Sequence, residues 1–150
     1  MFERFTEKAR RALFYARART VERDGDAISC EDLLDGLLLS APNAVMRFAS
    51  STAEAPLSVE TEEEFMRRCE GDDALRRRGA KEIPFSDAAK LALNRAIQEA
   101  NDLGHKDVRP EHLLLGVLRD DKSEAWRRLH AAGVRLGTVR QLLADASRSG

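Results

Sequence analysis

Small and apolar residues return every three or four positions along most of this chain, and nowhere do they alternate with polar ones over a strand's length. That period predicts helices. A first helix starts at Thr6, whose hydroxyl suits an N-cap, and carries Ala9, Ala12, Leu13 and Ala16 on one face. Asp24-Gly25-Asp26 breaks it. Ser29 caps a second helix, with Asp32 three residues on in a capping-box position and Leu33, Leu34, Leu37 and Leu38 as the buried stripe. Pro42 is read as its end. A short third helix is expected over about 43–50, a loop containing Pro56 follows, and "VETEEEFMRRC" reads as a fourth helix, acidic first and basic last as the helix dipole favours. The Gly- and charge-rich "EGDDALRRRGAKEIP" reads as a connector.

The pattern then restarts. Ser86 caps a helix carrying Ala89, Ala92, Leu93 and Ala96, and Gly104 stops it. Pro110 suits a first helical position, ahead of Leu113, Leu114, Val117 and Leu118. Further helices are expected over about 123–131 and 137–146. Sliding residues 5–38 against 85–118 without a gap gives ten identities in 34 positions, among them Glu31/Glu111 and Gly36/Gly116. The chain is therefore an internal repeat. Later the register slips by one, which pairs Arg47 with Arg128.

Packing accounts for the shared alanines and leucines. It also accounts for the two mid-helix glycines, which cost about 1 kcal/mol each against alanine unless a neighbouring helix must come close. Glu31 and Glu111 are different, because a carboxylate is seldom buried in a core. Each sits near a helix start, where the dipole favours it. Each also lies 25 residues after a hydroxyl that opens a helix, Thr6 or Ser86. Backbone N–H groups with a hydroxyl suit an anion, and a carboxylate suits a guanidinium. A ligand with both features is a modified arginine.

Charge and composition narrow the classes. With 25 basic and 26 acidic residues there is no electrostatic push toward nucleic acid or an anionic membrane, and neither is expected as a partner. No apolar run approaches the roughly 20 residues that span a bilayer. The opening "MFERFTEKARRALFYARART" lacks the apolar core of a signal peptide, so a cytoplasmic protein is expected. Two cysteines, Cys30 and Cys69, make neither a disulfide framework nor a CxxC pair. The three histidines show no metal-ligand spacing, and no local signature of a catalytic triad appears. No catalytic residue, metal or cofactor is expected, and a small helical enzyme is disfavoured.

"RFTEKARRAL…CEDLLDGLL" with "PFSDAAKLAL…RPEHLLLGVL" resembles the double Clp N-terminal repeat that fronts the ClpA/ClpC class of AAA+ unfoldases, closest to the ClpC branch. The resemblance covers nearly the whole chain. It implies an all-α fold of two four-helix repeats related by a pseudo-twofold axis, repeat 1 over 1–69, a connector over 70–84 and repeat 2 over 85–150. It also implies a protein-binding role, recruiting substrate or adaptor proteins to a Clp unfoldase and its protease. In the ClpC branch the equivalent hydroxyl and Glu bind phosphoarginine. By position the candidates here are Thr6 with Glu31, and Ser86 with Glu111. The sequence departs from the family's usual "GTEH": Cys30 and Pro110 stand in place of the Thr, and Arg109 adds a cation that could pair with Glu111 or help hold a phosphate. No GxxxxGK[ST] occurs, so the chain is not an ATPase by itself. It is expected to be a piece of a longer unfoldase or a stand-alone accessory protein that docks on a Clp ring.

Overall fold

A computed structural model describes residues 2–50, 57, 60–71 and 82–149, with side chains described as far as 147. The loop around Pro56 and most of the expected connector lie outside the described residues. Among those residues there are eight helices and no strand. In the first repeat they are α1 (Glu7–Glu22), α2 (Cys30–Ser40), α3 (Pro42–Met46) and α4 (Glu62–Glu70). In the second they are α5 (Asp87–Asp102), α6 (Pro110–Leu118), α7 (Glu124–Ala131) and α8 (Leu136–Ser149). None is long and apolar enough to cross a membrane.

The helix starts follow local chemistry. Thr6, Ser86 and Ser123 each accept a hydrogen bond from the N–H three residues on, and Ser29 and Asp32 complete a reciprocal capping box. Pro42 does not simply end α2. It occupies the first position of α3, where its missing N–H costs nothing, and α3 closes at Met46, short of the expected span.

α1 and α2 form an antiparallel hairpin, tied near one end by Thr20 donating to Asp32 and near the other by Ser40 donating to the Lys8 carbonyl. Midway, the backbones nearly touch. A Cβ built on Gly36 would lie 2.1 Å from the Ala12 carbonyl oxygen, and one on Gly116 would lie 2.2 Å from that of Ala92, in the matching α5–α6 hairpin. The leucine stripes of α2 and α6 close over these contacts into one shared core that also takes in Val45, Ala125, Leu129, Val134 and Val139.

The two repeats are laced together by their lead-in segments. Val108 N–H donates to the Arg4 carbonyl at 2.8 Å, and Thr6 N–H donates to the Val108 carbonyl at 3.0 Å. In the mirrored arrangement, Ile28 N–H donates to the Pro84 carbonyl at 2.8 Å and Ser86 N–H to the Ile28 carbonyl at 2.9 Å. Each lead-in thus makes a short parallel bridge to the interhelical loop of the other repeat, Phe5 to Val108 and Phe85 to Ile28.

α4 is held differently. Its one buried residue, Phe65, packs with Tyr15 and Leu39 in a small cluster apart from the main core. Charge does the rest. Arg68 pairs with Glu22 and Glu60, Arg19 with Glu60, and Arg11 with Glu62, which also accepts from Tyr15. Burial and that carboxylate push the Tyr15 phenol up to about 12. Part-exposed ion pairs contribute about 0.2–1 kcal/mol each. Arg68→Ala removes two of them, so amide exchange in α4 should accelerate by roughly fivefold or more while the α1–α2 amides keep their protection. Hydrogen-exchange mass spectrometry on the variant checks this, and uniform acceleration across the chain would contradict it.

Candidate functional site

An antiparallel hairpin places its two helix starts at opposite ends. α1 has 16 residues and so runs about 24 Å, which keeps Thr6 away from Glu31 within its own repeat. The same holds for Ser86 and Glu111 in α5–α6. The pairing expected from sequence, Thr6 with Glu31 and Ser86 with Glu111, is therefore corrected by the fold. Thr6 is bonded to Val108, three residues before Glu111, and Ser86 is bonded to Ile28, three residues before Glu31. Each hydroxyl-capped helix start stands beside the Glu-bearing helix start of the other repeat.

The four residues keep distinct local roles. Thr6 Oγ1 accepts from Ala9 N–H at 3.2 Å, and Ser86 Oγ accepts from Ala89 N–H at 3.1 Å. Glu31 and Glu111 each occupy the second position of their helices, α2 and α6. Glu31 Oε1 accepts from the backbone N–H of Glu124 at 3.0 Å. Glu111 Oε2 instead meets the Arg47 guanidinium at 3.5 Å.

Concavity is found beside Glu111. One cavity of about 280 Å³ is bounded by Lys8, the start of α3, Pro110 and Glu111. A second, of about 460 Å³, is bounded by Leu103, His105, Arg109, Glu111, Leu143 and Ser147. Arg47 borders both. Arg109 is exposed and makes no ion pair with Glu111. It is one of the residues that line the larger cavity.

Two neighbours of the site went unread in the sequence. The first is Arg47, marked there only by its register match to Arg128. In the structure Arg128 pairs with Asp35, whereas Arg47 reaches Glu111 and lies over the Phe48 ring at 4.5 Å. The second is His112, which is fully buried. It stands where Asp32 stands in the first repeat and does the same work, its Nδ1 accepting from Arg109 N–H at 2.8 Å. That match, three residues after the N-cap in both copies, was the available signal. The backbone donor fixes the His112 proton on Nε2, which faces His105 Nδ1 at 2.9 Å, and His105 Nε2 in turn meets Ser147 Oγ on α8.

Cys30 is 2% exposed at the first position of α2. Burial, aided by Asp120 and Glu31, pushes its thiol up to about 11, so at neutral pH it is a packing residue and not a nucleophile. Among the described residues no group of three or more His, Cys, Asp or Glu is placed to hold a metal ion.

An all-helical duplicated unit whose lead-ins cross between repeats, with paired Glu-bearing helix starts, defines a class that comparison with known proteins supplies. Residues 84–150 match the Clp repeat (R) N-terminal domain family, and the first half of the chain writes the same pattern again. The chain belongs to the Clp N-terminal repeat family. It is 32% identical over 141 residues to the chloroplastic chaperone protein ClpC1 of Oryza sativa subsp. japonica, covering 93% of this chain and 15% of that protein. It is likewise 32% identical over 152 residues to the ClpA homolog of the Clp protease ATP-binding subunit of Guillardia theta, covering 98% of this chain and 18% of that protein. The chain thus spans under a fifth of the length of these relatives.

Solved structures support the fold. The N-terminal domain of the chaperone ClpD from Arabidopsis thaliana superposes with a TM-score of 0.60 at 21% identity, covering 100% of this chain and 97% of that one. The Hsp104 N-terminal domain from Candida albicans gives 0.61 at 17% identity, covering 99% and 94%.

Proposed function

We propose that this chain is a non-catalytic protein-binding domain that recruits substrate or adaptor proteins to a Clp AAA+ unfoldase and its protease. Its ligand is a protein marked with phosphoarginine. Family membership supports the recruiting role, and one observation carries the ligand: a carboxylate set beside a cavity, next to a second helix start and among cations. Glu111 offers the charge that a guanidinium needs, and Lys8 and Arg109 offer charge to a phosphoryl group. The α6 and α1 helix starts add favourable dipoles for the anion. Thr6 with Glu111, and Ser86 with Glu31, are the residues proposed for the site.

Phosphoarginine should bind the chain about tenfold or more tighter than free arginine or inorganic phosphate, since neither fragment engages both charges. Titration calorimetry with the three compounds tests this. No heat from phosphoarginine, or equal affinity for all three, would refute the ligand assignment.

A further inference from the structure

The duplicated pattern makes Glu31 and Glu111 equivalent, yet the fold treats them unequally. Opposite Glu31 lies the start of α7, whose first residue, Glu124, offers an N–H that would otherwise lack a partner. Opposite Glu111 lies the start of α3, which opens on Pro42 and has no side-chain cap. A proline nitrogen carries no hydrogen. Asn43, the counterpart of Glu124 in the shifted register, does carry one, but Glu111 does not accept from it. The space stays open, and Arg47 reaches in to supply the positive charge.

We infer that the chain has one working phosphoarginine site, at Glu111, and that Arg47 is its built-in placeholder, displaced when the ligand's guanidinium arrives. This rests on the ligand reading above. Glu31 becomes a capping residue of α7. The Arg47–Glu111 contact suits a placeholder: it is long at 3.5 Å, the Arg47 side chain is 52% exposed, and a single guanidinium nitrogen makes it. A free guanidinium able to take both carboxylate oxygens outcompetes such a contact. The Phe48 ring keeps the displaced Arg47 close by. Lys8 lies in the smaller cavity and Arg109 in the larger, each without an ion pair among the described residues, so an anion on either side of Glu111 meets a cation.

Calorimetry on the full chain should give one phosphoarginine site. Glu111→Ala and Glu111→Gln should both abolish it, because the guanidinium needs the charge. Glu31→Ala should keep the stoichiometry but lower the melting temperature by several degrees, and Glu31→Gln, which retains the acceptor oxygen, should restore it. Arg47→Ala should tighten binding by up to about fivefold. Two equal sites in the wild type, binding lost with Glu31→Ala but kept with Glu111→Ala, or an Arg47→Ala variant no tighter than wild type would each overturn the assignment. Heat in no variant, Arg47→Ala included, would overturn the phosphoarginine reading itself. The asymmetry is then decided without ligand. The Arg47 Nε–H NMR signal should shift in Glu111→Gln, and Glu31→Ala should melt lower than Glu111→Ala. An unmoved signal or equal melting temperatures would overturn it.

Discussion

Gly116→Ala should destabilise the chain by about 3 kcal/mol, and Gly36→Ala by a similar amount, while Gly137→Ala should stabilise it slightly. Helix propensity alone predicts a gain of up to about 1 kcal/mol at all three positions. Packing reverses the sign at two of them. The added methyl at Gly116 would sit 2.2 Å from the Ala92 carbonyl oxygen and 3.1 Å from Ala96 N, and at Gly36 it would sit 2.1 Å from the Ala12 carbonyl oxygen. These neighbours are backbone atoms of a packed helix, so the hairpin itself must open. Opening it pulls Leu33, Leu37, Leu113 and Val117 out of register with the alanine faces they pack against. Nothing lies within 4 Å of a Cβ at Gly137, which makes that variant the control. Urea unfolding of the three proteins decides the matter, and a stabilised Gly116→Ala would show that the hairpins are not in close contact.

Acid should weaken the fold well before its carboxylates titrate. His112 is wholly buried, and burial, together with His105, Arg109 and Arg4 nearby, pulls its imidazole down to about 4. An unfolded histidine titrates near 6.5. The folded state therefore holds fewer protons than the unfolded state between those values. Stability is complete above about pH 6.5, falls as the pH drops toward about 4, and loses nothing further from this group below that. The gap corresponds to about 3 kcal/mol. Geometry gives the cause. Protonating Nδ1 would set it against the Arg109 N–H that it now accepts from. Denaturant midpoints measured from pH 7.5 to 4.5 should fall steadily in the wild type and much less in His112→Gln. Asp32 marks a separate, lower window. Burial opposes its charge, but Arg23, Ser29 N–H and Thr20 donate to it and win, so its contribution fades only as the pH falls below about 3.9. A wild type as stable at pH 5 as at pH 7 would refute the role given to His112.

Much of this fold was written locally and could be read locally. Thr6, Ser29, Ser86 and Ser123 announce helix starts because a side-chain oxygen can take only a nearby N–H. The leucine stripes announce α2 and α6 because their period matches the helix. What the sequence hid is relational. Periodicity states which face of a helix is apolar and leaves open which copy of the repeat will cover it. The crossing of lead-ins, and with it the partnership of Thr6 with Glu111, follows from backbone bonds between residues far apart in the chain, such as Thr6 and Val108. Pro42 shows the same limit on a smaller scale. A proline ends one helix or begins the next with equal ease, and the choice depends on the packing of Val45 and Phe48. Arg47 lies further still from sequence reasoning, since its partner, Glu111, stands 64 positions away in the other repeat.

The crossed lead-ins have a consequence for origin and assembly. The two backbone bonds that tie the lead-in of repeat 1 to repeat 2 are matched by two that tie the lead-in of repeat 2 to repeat 1. That reciprocity is the bonding pattern of a domain-swapped homodimer, in which two copies of one four-helix unit trade their N-terminal arms. Joined in a single chain, the arms no longer search for a partner at cellular concentration. A covalent link of this kind supplies an effective concentration on the order of millimolar. A single chain also lets the two copies differ, as Glu31 at the start of α7 and Glu111 beside a cavity do.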